Sequence, residues 1–199
     1  MKRRNILEGF VFKVATDSER GAALALRSRI YTAELGSPDL DGFDDGAYHV
    51  VGLDPDDAVV ASVRIIGPEQ RPFDIESVFN LSAVLAPDRV PAEISRFCVD
   101  PRHRQMHRDH MLHFGMLKAV YDLATKLGIT DIVTLGLPHL KNLYRVGYFS
   151  EVGMLCTHPV WGPAHPMRLD LIELRRRYAA SSNALARLLL SGAHPNVRV

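Results

Sequence analysis

Along this chain the apolar positions come in short blocks whose period changes, and the blocks predict alternating strands and helices. Phe10, Val11, Phe12 and Val14 make Gly9 to Ala15 a first strand. Thr16-Asp17-Ser18-Glu19 then has the spacing of a capping box, in which a hydroxyl and a carboxylate close the exposed amides of a helix start. Leu24, Arg27, Ile30, Tyr31 and Leu35 carry that helix from about Asp17 to Leu35, and Gly36-Ser37-Pro38 ends it. Ala47 to Leu53 and Ala58 to Ile66 read as an antiparallel hairpin joined by the turn Asp54-Pro55-Asp56-Asp57. Between Gly67 and Pro91, Phe73, Ile75, Val78, Phe79, Leu81, Val84 and Leu85 suggest short helical turns covering something apolar.

A central strand follows in Ala92 to Pro101, where Ile94, Phe97, Cys98 and Val99 alternate with Glu93, Ser95 and Arg96. Strict alternation sets Glu93 and Ser95 on one face and Ile94 and Arg96 on the other. The same spacing also suits an edge strand with solvated charges or an internal Glu–Arg ion pair. Leu112, Gly115, Met116, Ala119, Val120 and Leu123 mark a helix from Asp109 to Lys126, with Gly128 as its stop. Asp131 to Gly136 is a compact strand and Pro138 to Val146 a short helix. Ser150 to Val160 and Met167 to Glu173 read as a last strand pair. A helical extension is expected at about 173–190, followed by a frayed tail at 192–199. The order β, α, β-β-β, α, β, α, β-β, α, without internal repeats, predicts a single domain of 199 residues in the α/β (α+β) class.

Composition changes this picture little. At 47% hydrophobic, 24% charged and net charge +1 the chain is ordinary globular protein and not a dedicated nucleic-acid binder. No run has the length of a membrane span, and Met1-Lys2-Arg3-Arg4 is not followed by the apolar core of a signal peptide, so a cytoplasmic location is expected. Cys98 and Cys156 lack metal or redox spacing and are expected as reduced strand residues. The nine histidines, His103, His107 and His110 among them, form no ligand pattern, and no metal site is predicted. Two charged features do call for partners. Arg64 lies among Val63, Ile65 and Ile66, where an unpaired guanidinium is costly, and the acidic loop Asp39 to Asp45 is the natural source of its counter-charge.

The residues that carry the chemistry resemble a known group. Arg27 with Tyr31, Asp41-x-Phe43-Asp44, Arg64 within Ser62 to Ile66, and Glu93 to Val99 match in order and spacing the acyl-homoserine-lactone autoinducer synthases. These are relatives of the Gcn5-related N-acyltransferase fold, whose central mixed, mostly antiparallel sheet is flanked by helices. The match is strong from about Arg27 to Pro101 and topological beyond. One position departs: Ser37 stands about where the synthases carry a tryptophan assigned to S-adenosylmethionine, and the sole tryptophan is Trp161. With the pattern Arg27-x-x-Ile30-Tyr31-x-x-Glu34, the chain more closely resembles the long-chain N-acyl amino acid synthases of the N-acyl tyrosine type.

That resemblance implies a fatty acyl group as cargo, acyl carrier protein as partner and donor through its 4′-phosphopantetheine arm, an amino acid as acceptor, and no tightly bound cofactor. The sequence agrees on the donor. Coenzyme-A-dependent members grip a pyrophosphate in a glycine-rich turn. The corresponding stretch Arg102 to Met111 has no glycine and offers Arg102, His103, Arg104, His107 and Arg108, suited to one phosphodiester and an acidic carrier surface. Attack of an amine on a thioester needs a base and oxyanion donors. The resemblance implies Glu93 as base with Glu34 as the second candidate and Arg96 beside them, main-chain groups of Phe97, Cys98 and Val99 at the thioester, and an acceptor-binding network of Arg27, Tyr31, Asp41, Asp44 and Arg64. Three other readings share these residues: an autoinducer synthase, a coenzyme-A-dependent N-acetyltransferase, and a carrier-protein-binding module without catalysis.

Overall fold

The computed structural model describes residues 7–36, 41–104 and 108–199, with only the backbone at 108–110. Its elements, in chain order, begin with β1 (Val11–Val14), α1 (Asp17–Leu35), β2 (Tyr48–Leu53), β3 (Val59–Ile66) and β4 (Pro91–Val99). They continue with α2 (Arg108–Lys126), β5 (Asp131–Gly136), α3 (Lys141–Val146), β6 (Ser150–Glu151), β7 (Cys156–His158) and β8 (Gly162–Asp170). The chain closes with α4 (Leu171–Tyr178), α5 (Ala184–Leu190) and β9 (Val197–Arg198). The result is a mostly antiparallel sheet flanked by helices, and it divides into two compact units.

The first unit holds the residues up to Ile65, Arg96–Leu123 and Ser191–Val199. Here β1 pairs antiparallel with β2, and β2 with β3. The capping box at α1 forms as the sequence predicts: the Glu19 carboxylate accepts from the Thr16 amide at 2.8 Å and the Thr16 hydroxyl from the Glu19 amide at 3.4 Å. Gly36, at φ 65, closes the helix in the left-handed conformation that glycine adopts without steric cost. Ala23 packs on Val51 and Leu53, while Leu26 and Ile30 pack on Cys98 under Tyr31. On α2, Gly115 is set by close approach, because a Cβ there would stand 2.1 Å from the buried Phe12 ring.

The tail expected to fray is instead tied down. Val197–Arg198 forms a parallel bridge to β1, and the Phe12 amide donates to the Asn196 carbonyl at 2.8 Å. Lys118, fully buried on α2, donates to the carbonyls of Ser191 and Gly192 at 2.9 and 3.3 Å and to Asp122 at 2.6 Å. A buried ammonium needs such acceptors, and here the tail supplies two of them.

The second unit holds Ile66–Ser95 and Ala124–Leu190. The expected short turns are 3-10 turns at Pro68–Gln70, Asp74–Ser77 and Leu81–Ala83, burying Phe73, Ile75 and Leu81. Strand β5 pairs parallel with β4 and antiparallel with β8, whose other neighbours are β6 and β7. Two expectations are corrected. The last strand starts at Gly162 rather than Met167, running through Pro163 and Pro166, and it ends at Asp170, where the carboxylate caps α4 by accepting from the Glu173 amide at 2.9 Å. The expected single helix from Glu173 to Leu190 is two helices, because Asn183 starts α5 afresh by accepting from the Leu185 and Ala186 amides at 2.9 and 3.1 Å.

Candidate active site

Two groups of candidate residues involve β4, Arg96 within the first unit and Glu93, three residues earlier in the chain, within the second, and each is described in its own unit.

In the first unit five of the predicted side chains meet. Arg64 on β3 is wholly buried and donates to both Asp41 oxygens at 2.5 and 2.8 Å and to Asp44 Oδ1 at 3.1 Å. Arg27 on α1 forks onto Asp44 at 2.9 and 2.5 Å, and Arg96 donates to Asp41 at 2.5 Å. The acidic loop owes this placement to local chemistry: the Asp41 carboxylate accepts from the Phe43 amide at 3.0 Å, turning the chain, and the Phe43 ring lies 5.6 Å from the Arg64 guanidinium. Arg96 itself has φ 57, a left-handed backbone that a long side chain adopts only under constraint, costing about 1–3 kcal/mol. Its ion pair with Asp41 is such a constraint, and the strict alternation expected along β4 breaks here.

Burial alone raises the Asp44 carboxyl, but the hydrogen bond and charge of Arg27, followed by those of Arg64, outweigh it and hold the group at about 2 against the ordinary 3.8. Asp41 moves the same way: burial raises it, and Arg64, then Arg96, bring it below the ordinary value. A folded-state value below the unfolded one contributes stability that is complete above the unfolded value and lost as pH falls through the folded one. Between about pH 5 and pH 2 the protein should therefore lose about 2 kcal/mol through Asp44 alone. Asp44→Asn should flatten this acid limb in urea melts taken at successive pH values, and an unaltered limb would show that Asp44 does not carry it.

In the second unit Glu93 is 2% exposed and accepts from the Ile75 amide at 3.0 Å. It is also the last rung of the parallel β4–β5 ladder, which pairs Pro91, Ala92 and Glu93 with Asp131, Ile132 and Val133. Beyond that rung β5 runs on through Thr134, Leu135 and Gly136 in register with β8. Thr134 is hydrogen-bonded to the Tyr144 phenol, whose titration burial pushes above its ordinary value while the Thr134 bond opposes it.

The other predicted residues are distributed more widely. Tyr31 is half-buried over Leu26, Ile30 and Cys98. Glu34, the second candidate for base, forms an exposed ion pair with Arg104 at 2.7 Å. Phe97 lies 4.8 Å from the His113 ring, Cys98 is a buried free thiol, and the Val99 carbonyl accepts from Arg104 at 2.9 Å. Arg102 and Arg29 both donate to Asp100 Oδ2, at 2.9 and 2.8 Å. His103 stands edge-on to Phe10 and 3.8 Å from Asp54. His107, the Arg108 side chain and Ser37 lie outside the described residues. Among the described residues, no group of three or more His, Cys, Asp or Glu could hold a metal ion.

Sequence reasoning missed Tyr144, and it missed a second buried cluster in which Asp131, wholly buried, accepts from Arg89 at 2.6 and 2.9 Å and from Arg168 at 2.6 Å. The signal for that cluster was available: Asp131 opens β5 directly ahead of Ile132 and Val133, and Arg168 stands between Met167 and Leu169 in β8.

Comparison with known proteins makes this chain an N-acyltransferase, and a helix-flanked sheet whose parallel ladder ends at a buried carboxylate accords with that class. The model of the family described as N-acyl amino acid synthase FeeM matches residues 22–170, and the chain belongs to that family. Among solved structures it is similar to FeeM, an N-acyl amino acid synthase from uncultured soil microbes, at TM-score 0.74 and 20% identity over 84% of this chain and 93% of that one. It is similar also to BjaI, a coenzyme-A-dependent acyl-homoserine lactone synthase, at TM-score 0.65 and 19% identity over 92% and 100% of the two chains. An acyl-CoA N-acyltransferase from Pseudomonas aeruginosa matches at TM-score 0.59 and 20% identity over 80% and 97%. At these identities the structural likenesses establish the fold. Comparison with curated proteins finds no match. No helix among the described residues is long and apolar enough to cross a membrane.

Proposed function

We propose that this enzyme moves a long-chain fatty acyl group from the 4′-phosphopantetheine arm of acyl carrier protein to the amino group of an amino acid, tyrosine being the first acceptor to test. The observation that carries the reading is Glu93, a buried carboxylate on the last rung before β4 and β5 lose their pairing. A parting of two parallel strands can admit a narrow, hydrogen-bonding arm, and a carboxylate beside it can receive a proton.

In this reading the acceptor ammonium gives its proton to Glu93, directly or through a water, and the freed amine attacks the thioester carbonyl carbon. Main-chain groups of Phe97 to Val99 bind the oxyanion. As the tetrahedral centre collapses, the C–N bond is kept and the C–S bond breaks. The departing thiolate takes a proton from Tyr144, a phenol whose titration burial pushes above its ordinary value, and the tyrosinate regains one from the second proton that the acylated nitrogen sheds, leaving a neutral amide and a free thiol. The network of Arg27, Asp41, Asp44, Arg64 and Arg96, with Tyr31, serves acceptor recognition. Carrier-protein binding falls to the basic stretch Arg102 to Arg108. Its support is the absence of glycine from a stretch where a pyrophosphate would need close backbone approach, together with the Arg102 and Arg29 side chains, 78% and 60% exposed around Asp100.

Mass spectrometry of lipid extracts from bacteria expressing the chain identifies acceptor and acyl group together. An N-acyl amino acid is expected, and a homoserine lactone would overturn the reading. With purified protein, acyl carrier protein should be the better thioester donor than coenzyme A, and added salt should raise its KM severalfold, as for encounters steered by opposite charge. Preference for acyl-coenzyme A, insensitive to salt, would transfer the donor assignment.

A further inference from the structure

We infer that His158 is a positioning residue for the reaction, acting through Asp74 and the Ile75 amide on the Glu93 carboxylate. The inference rests on the assignment of Glu93 as base. His158 is 4% exposed at the end of β7. Its Nδ1 accepts from the amides of Val160 and Trp161, each at 3.2 Å, and two donors on that nitrogen fix the ring proton on Nε2. The Nε2–H group therefore donates to Asp74, 3.1 Å away. The Trp161 ring lies stacked at 6.2 Å from the imidazole, with 16° between the planes, holding the ring against rotation.

Asp74 opens the 3-10 turn Asp74–Ser77, and the next amide in that turn, Ile75, is the one that donates to Glu93. Two hydrogen bonds, joined through the Asp74–Ile75 backbone, thus connect the β7–β8 turn to the candidate base. The Ile75 amide is a donor to the Glu93 carboxylate, and its placement follows that of Asp74. The other ionisable groups on these elements have partners of their own: Glu76 pairs with Arg71 just before the turn, Asp131 with Arg89 and Arg168, and Glu151 with His165 at 3.2 Å. Sequence reading had no access to this, since a histidine between Thr157 and Pro159 carries no periodic signal.

The two ring nitrogens can be separated by substitution. His158→Gln keeps a donor where Nε2 stands, and His158→Asn keeps an acceptor where Nδ1 stands. Loss of the Asp74 arm in His158→Asn, or in Asp74→Ala, should lower turnover about tenfold. It should also move the acid limb of the kcat/KM profile up by about one pH unit, since a carboxylate with a looser donor takes up a proton more readily. His158→Gln and Asp74→Asn, which retain the donor and an acceptor respectively, should recover most of both effects. Melting temperatures on the same preparations separate positioning from folding. A lower melting temperature with an unshifted acid limb in all four variants would make His158 a structural pin only and overturn the inference. Glu93→Gln, run alongside, keeps the two claims apart: if it loses turnover while His158→Asn leaves the limb in place, the base stands and the positioning role falls. If Glu93→Gln keeps turnover, the base assignment falls first.

Discussion

Glu93→Gln should turn over at about one-hundredth of the wild-type rate or less, with little change in the KM for acyl carrier protein, the range that loss of a general base spans. Glutamine has nearly the volume of glutamate, and its amide oxygen can still accept from Ile75 at the 3.0 Å that the carboxylate uses. What disappears is the ability to take a proton from the acceptor ammonium. The rival account makes Glu93 an anchor for the Asp74–Ser77 turn, in which case the substitution costs stability and each folded molecule works normally. Turnover and melting temperature measured on one preparation decide between them. Near-normal turnover per folded molecule would remove Glu93 from the reaction and return attention to Glu34, which is exposed and paired with Arg104.

How much of this was legible in the sequence depended on how far apart the partners lie. The bounds of α1 could be read to the residue because Thr16, Glu19 and Gly36 are local signals, each satisfying helix amides or carbonyls within a turn. The Arg64 network was legible for another reason: one arginine inside Val63-Arg64-Ile65-Ile66 must have a counter-charge, and a single loop is rich in carboxylates. The basic run after β4 read as a free docking surface, since its partners are far off or look like ordinary turn residues. Glu34 lies 70 positions from Arg104, and Asp100 reads as a strand terminator although it is the buried acceptor of both Arg29 and Arg102. Lys118 carries no local sign of its burial, because the chain end that supplies two of its acceptors lies more than 70 residues on. Strand β9 has two residues, too few for any period to register. Hydrophobic pattern reports which face is buried, and it is silent on which charged groups are buried with it.

The second large effect is expected at Arg64. Arg64→Met should cost about 3–5 kcal/mol, the range seen when one partner of a buried ion pair is removed and the other is left in place. Methionine fills much of the same space, so the loss would not come chiefly from a cavity. It would come from the carboxylates of Asp41 and Asp44, whose side chains are 18% and 17% exposed and which give up three guanidinium contacts at 2.5, 2.8 and 3.1 Å. Arg27 still serves Asp44 and Arg96 still serves Asp41, which is why the loss stays short of unfolding the chain. Arg64→Lys keeps the charge but cannot fork onto both Asp41 oxygens, so it should fall between the two. The pH dependence supplies the check on cause. Below about pH 2 the Asp44 carboxyl is protonated in the folded wild type, and the guanidinium then has one charge fewer to neutralise. The gap between wild type and Arg64→Met should therefore be widest near neutral pH and narrow as pH falls through that region. Urea melts that give a gap below about 1 kcal/mol at neutral pH, or one constant into acid, would mean that packing and not charge holds this part of the site together.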